Sequence, residues 1–180
     1  MKMEITKIDF GIEGIAPLKM DQWLDLPTPK TEKGYMEQAK DKVYRDDSGF
    51  LAIYENHLKG AMRMASSEVG KKTMAKKNRQ TIKAQVFINP RKLSLGVKDY
   101  DGLARDIVSR RTGDKVATYR PYVEKWKTNG QFVLYGVDTE FIKEVLELAG
   151  FRYGLLSHRP EFGRFIVTKF EVVENGRKSK

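Results

Sequence analysis

Apolar residues at every second position near the start of the chain predict a β-strand over residues 4–13. The side chains on its apolar side are Ile8, Phe10 and Ile12. Prolines and glycines are frequent over residues 14–34, so a loop is expected there, followed by a short helix over residues 35–45. The chain therefore opens with one well-defined strand and a long connection.

A helical period begins near Asn56, where apolar residues recur at i, i+3, i+4 and i+7 and so form one stripe. The stripe consists of Leu58, Ala61, Met62 and Ala65. The basic residues 67–81 are predicted to form a loop, and the alternation from Ile82 to Ile88 predicts a strand that Pro90 ends. A further short strand is expected from Leu93 to Val97.

Two hairpins are predicted in the second half of the chain. Residues 105–120 have the pattern of a projecting ribbon with Thr112-Gly113-Asp114 at its tip. The dipeptide Asn129-Gly130 tolerates the positive φ angles of a type I′ turn, so it is predicted to join strands at residues 122–127 and 131–136.

The last helix has clear start and stop signals. Asp138 is its predicted N-cap, and Gly150 is predicted to end it in a left-handed conformation. A loop rich in glycine and charge follows from Phe151 to Gly163, and a final strand is predicted from Arg164 to Val173. Residues 175–180 are a polar tail.

Without the insertions, the predicted order is strand, helix, strand, strand, helix, strand. This order is typical of an α+β fold of the ferredoxin-like (RRM-like) type, a split βαβ core. We expect a single domain over residues 1–174, with insertions at residues 14–49 and 99–121 that include a β-hairpin thumb, and with a basic loop. The open face of such a sheet is the surface on which RNA-recognition domains stack unpaired bases.

The net charge of +10 changes the functional picture, because so basic a surface attracts polyanions. Residues 59–92 contain ten Lys and Arg residues against Glu68 alone, which favours a binding patch over a lysine-rich face kept for solubility. If about six cations of the basic loop neutralise phosphates of a single strand, log K should fall with log salt at a slope of about −4. These cations belong to a basic run that covers the loop and the start of the next strand: Lys71, Lys72, Lys76, Lys77, Arg79 and Lys83.

Other protein classes are disfavoured. The chain has no cysteine, so a disulfide framework and a thiolate metal site are excluded. The first residues contain no apolar run typical of a signal peptide, and no segment approaches the roughly 18 apolar residues of a membrane span. We expect a cytoplasmic protein without a cofactor, a metal or a membrane partner.

The loop between the last helix and the last strand is the most informative segment. Glycines at 150, 154 and 163 allow a ligand to approach the backbone, and three arginines offer planar donors suited to phosphate. The arginines are Arg152, Arg159 and Arg164. The alternative is a plain connection whose glycines serve turns and whose aromatic residues serve the core.

These segments resemble a known family. Phe50-Leu51-Ala52-Ile53, running into Asn56-His57-Leu58-Lys59-Gly60-Ala61-Met62-Arg63, resembles the short strand and helix opening of the RAMP proteins, where a glycine-alanine helix with Lys and Arg contacts RNA. The late helix, loop and strand resemble the glycine-rich loop and last strand of that family. The ribbon at 105–120 is similar to the β-thumb of backbone subunits in CRISPR effector complexes.

A second resemblance is to small phage and prophage proteins, in the segments from Tyr119 to Trp126 and from His158 to Phe165. The RAMP resemblance implies a ferredoxin-like core that binds single-stranded RNA, with subunits that line up along the strand. We therefore expect self-association along the bound strand.

The expected function is non-catalytic binding of single-stranded nucleic acid, RNA or DNA with RNA favoured, through phosphate contacts and aromatic stacking. The predicted binding residues are Lys59, Arg63, Lys71, Lys72, Lys76, Lys77, Arg110, Arg111, Tyr119, Arg120, Arg152, Tyr153, His158, Arg159 and Arg164. Two alternatives stay open. His57 and His158 could be the acid and base of a metal-independent RAMP-type endoribonuclease, or a phage protein could act on a host protein complex.

Overall fold

The computed structural model describes residues 4–109 and 112–175. Within these ranges the strands are β1 (Ile5–Gly14), β2 (Leu18–Lys19), β3 (Ala52–Tyr54), β4 (Val86–Asn89), β5 (Lys92–Ser94), β6 (Gly102–Ser109), β7 (Lys115–Val123), β8 (Lys127–Tyr135) and β9 (Phe165–Asn175). The α-helices are α1 (Glu32–Ala39), α2 (Glu55–Ala65), α3 (Ala75–Gln85) and α4 (Thr139–Leu148). A 3₁₀ turn precedes α3 at Lys72–Met74, and a π-helical turn follows α4 at Ala149–Tyr153.

The main sheet has four strands in the order β4-β8-β1-β9, and each neighbouring pair is antiparallel. Helices α2 and α3 lie on the connection from β1 to β4, and α4 lies on the connection from β8 to β9. The predicted α+β class is confirmed. The strand predicted over residues 4–13 is confirmed as β1, since its apolar alternation places three side chains in the core.

The core lies between one face of this sheet and the helices. The α2 stripe is buried as predicted, and so are the inward side chains of β1 and β8. Phe10 and Phe132 stack there with ring centroids 4.2 Å apart. Each large apolar side chain buried in this way contributes about 1.5–3 kcal/mol to stability.

The ribbon is also confirmed. Strands β6 and β7 pair from Gly102↔Tyr122 to Ser109↔Lys115, and β2 extends this sheet on the β7 side. Helix α1 packs against β7. It begins three residues before the predicted start at residue 35, because the Thr31 side chain caps it by accepting from the backbone N–H of Gly34 at 3.1 Å, and it ends at Ala39.

The prediction of a basic loop over residues 67–81 is wrong for its second part, because residues 75–81 belong to α3 and Lys72–Met74 form a 3₁₀ turn. The start of the strand predicted from Ile82 to Ile88 is wrong for the same reason. Ile82 is buried, but Ala84 is exposed, and both residues belong to α3. The side-chain amide of Asn78 fixes α3 by donating to the carbonyls of Ser66 at 3.0 Å and Val69 at 2.9 Å. The strand is therefore only β4.

The hairpin predicted at Asn129-Gly130 is wrong as well, because both residues lie inside β8. The chain reverses at residues 124–126 instead. Gly130 faces Phe10 across the sheet, and a Cβ on it would lie 2.7 Å from Leu93 and 3.0 Å from the Phe10 ring. The glycine therefore serves close packing and not a turn.

Asp138 caps α4 as predicted, since its carboxylate accepts from the N–H of Glu140 at 3.3 Å. Gly150 does not end the helix in a left-handed conformation. It lies in the π-helical turn, where a Cβ would come within 2.3 Å of the carbonyl oxygen of Phe165, and the positive φ of +66° falls on Gly154. None of the helices in the described ranges combines the length and apolar character needed to cross a bilayer.

Candidate nucleic-acid interface

Helices α2 and α3 form a groove with the π-helical turn at one end. This helix groove has a volume of about 390 Å³ and is lined by Gly60, Arg63, Met64, Ser67, Arg79 and Tyr153. A depression lined by Arg63, Lys76, Arg79, Gln80 and Lys83 adjoins it and shares two of those residues. The groove and the adjoining depression form one continuous surface. From here on, the name helix groove covers both of them.

The cations of α3 lie on one face because of their spacing. Lys76, Arg79 and Lys83 are at i, i+3 and i+7, and all three are exposed. Together with Arg63 of α2, they make no salt bridge to a carboxylate within residues 4–109 and 112–175. Four positive charges therefore remain available for an anion.

Sequence reasoning named Arg63 and Lys76 as binding residues, and it counted Arg79 and Lys83 among the basic run without naming them as binding residues. The signal that could have identified Arg79 and Lys83 is their helical spacing from Lys76. That spacing was missed because the segment was interpreted as a loop. Of the other predicted cations in that segment, Lys71, Lys72 and Lys77 are exposed but do not line the helix groove.

The end of the groove is partly neutralised by Glu68. Its carboxylate accepts from the Tyr153 hydroxyl and from the Arg152 guanidinium. These contacts, the Tyr153 hydrogen bond first, hold the pKa of Glu68 below its usual value, and the same bond raises the pKa of Tyr153. Tyr153 thus lines the groove and Arg152 is next to it in the chain, but the polar ends of both side chains are engaged.

Lys59 lies at the opposite end of the groove. Its ammonium donates to the carbonyl of Lys83 at 3.3 Å and lies 5.1 Å from the centroid of the Phe87 ring. Burial lowers the pKa of Lys59. The side chain therefore connects the helices to the edge strand β4.

A second cleft lies between the ribbon and the loop before β9. This ribbon cleft has a volume of about 590 Å³, and its lining includes Lys19, Arg105, Asp106, His158, Arg159 and Phe162. Most of its cations are engaged by carboxylates: Lys19 pairs with Asp106 at 3.0 Å and Arg105 with Glu32 at 2.9 Å.

Other predicted residues near the ribbon are engaged in the same way. Arg120 pairs with Asp21 at 2.7 Å and Asp106 at 3.1 Å. The Tyr119 hydroxyl donates to Glu32 at 2.5 Å. His158 Nδ1 lies 3.5 Å from Asp106 Oδ2. These contacts hold the ribbon to the rest of the protein.

The remaining predicted residues do not join the helix groove. Arg159 is exposed in the ribbon cleft, and Arg164 is half-buried with its Nε buried and without a hydrogen-bond partner in the described structure. Arg110 and Arg111 lie outside the described residues. The predicted cations therefore do not form one surface: Arg63 and Lys76 line the helix groove, whereas Arg159 lies in the ribbon cleft.

His57 caps α2. Its Nδ1 accepts from the backbone N–H of Tyr54 at 3.2 Å, and its ring packs edge-on against Tyr44 at 4.5 Å. Burial and, to a lesser degree, the charge of Arg159 lower the pKa of His57 to about 4. The imidazole is neutral at pH 7. In the part of the chain that the structure describes, no three acidic or histidine side chains cluster as a metal site would require.

No protein-family model and no curated protein sequence matches the chain. Among solved structures, the fold is similar to a chain of the type III-B Cmr-beta complex, determined by cryo-EM with its cognate target RNA bound, with a TM-score of 0.58 and 11% sequence identity. The similarity covers 95% of this chain and 61% of that chain, so this chain spans less than two thirds of its length. At this identity the likeness concerns the fold.

Proposed function

We propose that this protein binds single-stranded RNA in the helix groove and does not cleave it. The observation that carries the proposal is the set of four cations, Arg63, Lys76, Arg79 and Lys83, which line one groove without carboxylate partners. Arginine forms paired hydrogen bonds with phosphate, and lysine supplies a compact charge. Their spacing along α3 suits successive phosphates of a flexible strand.

The fold supports this function as a ferredoxin-like core of RAMP type. The strand order β4-β8-β1-β9, with helices on both crossovers, is the order that a split βαβ core requires. The similar chain belongs to a type III-B Cmr-beta complex that has cognate target RNA bound. The ribbon then corresponds to the thumb, and copies of the protein line up along the strand through it.

The absence of cleavage is proposed from the two histidines. His57 uses Nδ1 to cap a helix, and its pKa of about 4 makes it a weak base at neutral pH. His158 has its Nδ1 at 2.9 Å from the ammonium of Lys19. The Nδ1 atom of each histidine therefore has a structural partner.

The test is the salt dependence of binding to a fluorescently labelled single-stranded RNA of mixed sequence, measured by anisotropy after nuclease treatment of the purified protein. Four phosphates neutralised by the groove give a slope of log K against log salt of about −3. The same measurement with single-stranded DNA and with duplex RNA establishes the preferred strand. A slope near zero, or no binding at low salt, would overturn the proposal.

A further inference from the structure

Phe87 is an exposed aromatic residue on the outer face of the main sheet. It lies on the edge strand β4, and 45% of its surface is accessible. The Tyr135 ring packs against it edge-on, with centroids 5.4 Å apart and ring planes at 82°. Val133, directly opposite Phe87 in the register of β4 and β8, is half-buried and widens the apolar surface. The three side chains form a platform that is open to solvent.

This aromatic platform, Phe87, Val133 and Tyr135, is continuous with the helix groove. Helix α3 ends at Gln85, and β4 begins at the next residue. The ammonium of Lys59 lies 5.1 Å from the centroid of the Phe87 ring while it donates to the carbonyl of Lys83. A strand whose phosphates follow α3 therefore reaches Phe87 at the last turn of the helix.

We propose that Phe87 stacks an unpaired base of the strand bound in the helix groove, with Tyr135 as its side wall and Lys59 beside the adjoining phosphate. This deepens the RNA-binding function proposed above and rests on it. Every nucleobase has a π-face, so the site takes purines and pyrimidines alike. The cations next to the platform favour a polyanion over an apolar peptide segment as its occupant.

The experiment compares Phe87→Ala and Phe87→Tyr with the wild type on single-stranded RNA that carries 2-aminopurine, whose fluorescence falls when it stacks on an aromatic ring. Phe87→Ala should lower affinity by roughly five- to hundredfold, since one base stack contributes that much. It should also abolish the fluorescence decrease at saturating protein, whereas Phe87→Tyr should keep both. The slope of log K against log salt should stay the same in all three proteins.

The matched control is Trp23→Ala, which removes an aromatic side chain that is 87% exposed and lines neither the platform nor the groove. It should leave RNA affinity unchanged. One outcome is that wild type binds with the expected salt slope while Phe87→Ala shows the same RNA affinity and the same fluorescence decrease. That result would overturn the stacking site and leave RNA binding in the helix groove supported. If wild type does not bind RNA, both are wrong. If Phe87→Ala changes only the oligomeric state in light scattering, the platform is a protein interface and the proposal is overturned.

Discussion

The ammonium of Lys19 lies 2.9 Å from Nδ1 of His158, which joins strand β2 to the loop before β9. The Lys19 side chain is only 3% exposed, and its charge is balanced by Asp106 at 3.0 Å on the ribbon. The Phe162 ring packs on the ammonium at 3.8 Å. Strand β2, the ribbon and the loop before β9 thus meet at one buried charge.

Replacing Asp106 should therefore destabilise the protein strongly. Asp106→Ala leaves the Lys19 ammonium buried without a counter-charge and also removes a partner of Arg120. We expect a loss of about 3 kcal/mol in the free energy of unfolding, measured by urea denaturation. Glu37→Ala is the control, because it removes a solvent-exposed pair with Lys40 and should leave the midpoint unchanged. Equal midpoints for both variants would contradict the structural role of Lys19.

Stability should depend on pH through His57. Its pKa is about 4 in the folded protein, whereas an unfolded histidine has a pKa near 6.5. Between these values the unfolded chain binds a proton that the folded protein does not, so the free energy of unfolding falls as pH falls from about 6.5 to about 4, by at most about 3 kcal/mol. In His57→Gln this component should be missing, and the difference between pH 7 and pH 4.5 should be smaller. An equal difference in the two proteins would show that His57 does not titrate in this way.

Two glycine substitutions should have opposite effects. At Gly150 a new Cβ would lie 2.3 Å from a carbonyl oxygen and 2.7 Å from the Phe165 ring, so Gly150→Ala should cost about 2 kcal/mol or more. At Gly60, within α2, there is open space, and Gly60→Ala should add up to about 1 kcal/mol through helix propensity. Thermal unfolding of both variants measures this difference. A Gly150→Ala variant as stable as wild type would rule out the packing of the π-helical turn on β9.

RNA should remain intact in the presence of the protein. A labelled single-stranded RNA incubated without added metal should give no fragments on a denaturing gel, with wild type, His57→Ala and His158→Ala alike. Fragments produced by wild type and lost in either histidine variant would establish the endoribonuclease alternative.

Much of the fold could be predicted from local pattern. The pattern predicted β1 from the alternation at Ile8, Phe10 and Ile12, and α2 from its helical stripe, because each element buries one face. Asp138 predicted the start of α4, because its side chain caps the helix locally. Such signals need only neighbouring residues. They remain valid once the tertiary structure forms.

The errors arose where tertiary contacts decide. Gly130 and Gly150 looked like turn residues, yet each is a glycine because another element, at Phe10 or Phe165, leaves no room for a Cβ. The residues around Ile82 alternate like a strand, but they are held as a helix by Asn78, whose partners Ser66 and Val69 lie outside α3, 12 and 9 residues earlier in the chain. No local pattern contains that information.

The candidate site was predictable in part for the same reason. The sequence located the excess of positive charge, and Arg63 and Lys76 do line the helix groove. It could not separate them from Arg120 or Arg152, whose charges are balanced by Asp21 and Glu68 across the fold. Which cations are free depends on where the carboxylates lie, and that requires the structure.

The most direct measurement for the helix groove compares two variants that each remove two positive charges. Arg63→Ala with Arg79→Ala acts inside the groove, and Lys30→Ala with Lys33→Ala removes charges at α1, which packs on the ribbon. By fluorescence anisotropy with single-stranded RNA, the groove variant should bind at least tenfold more weakly and lose about half of the salt slope. The α1 variant should bind as wild type does. Equal weakening of both variants would mean that RNA responds only to net charge and that the helix groove is not its binding site.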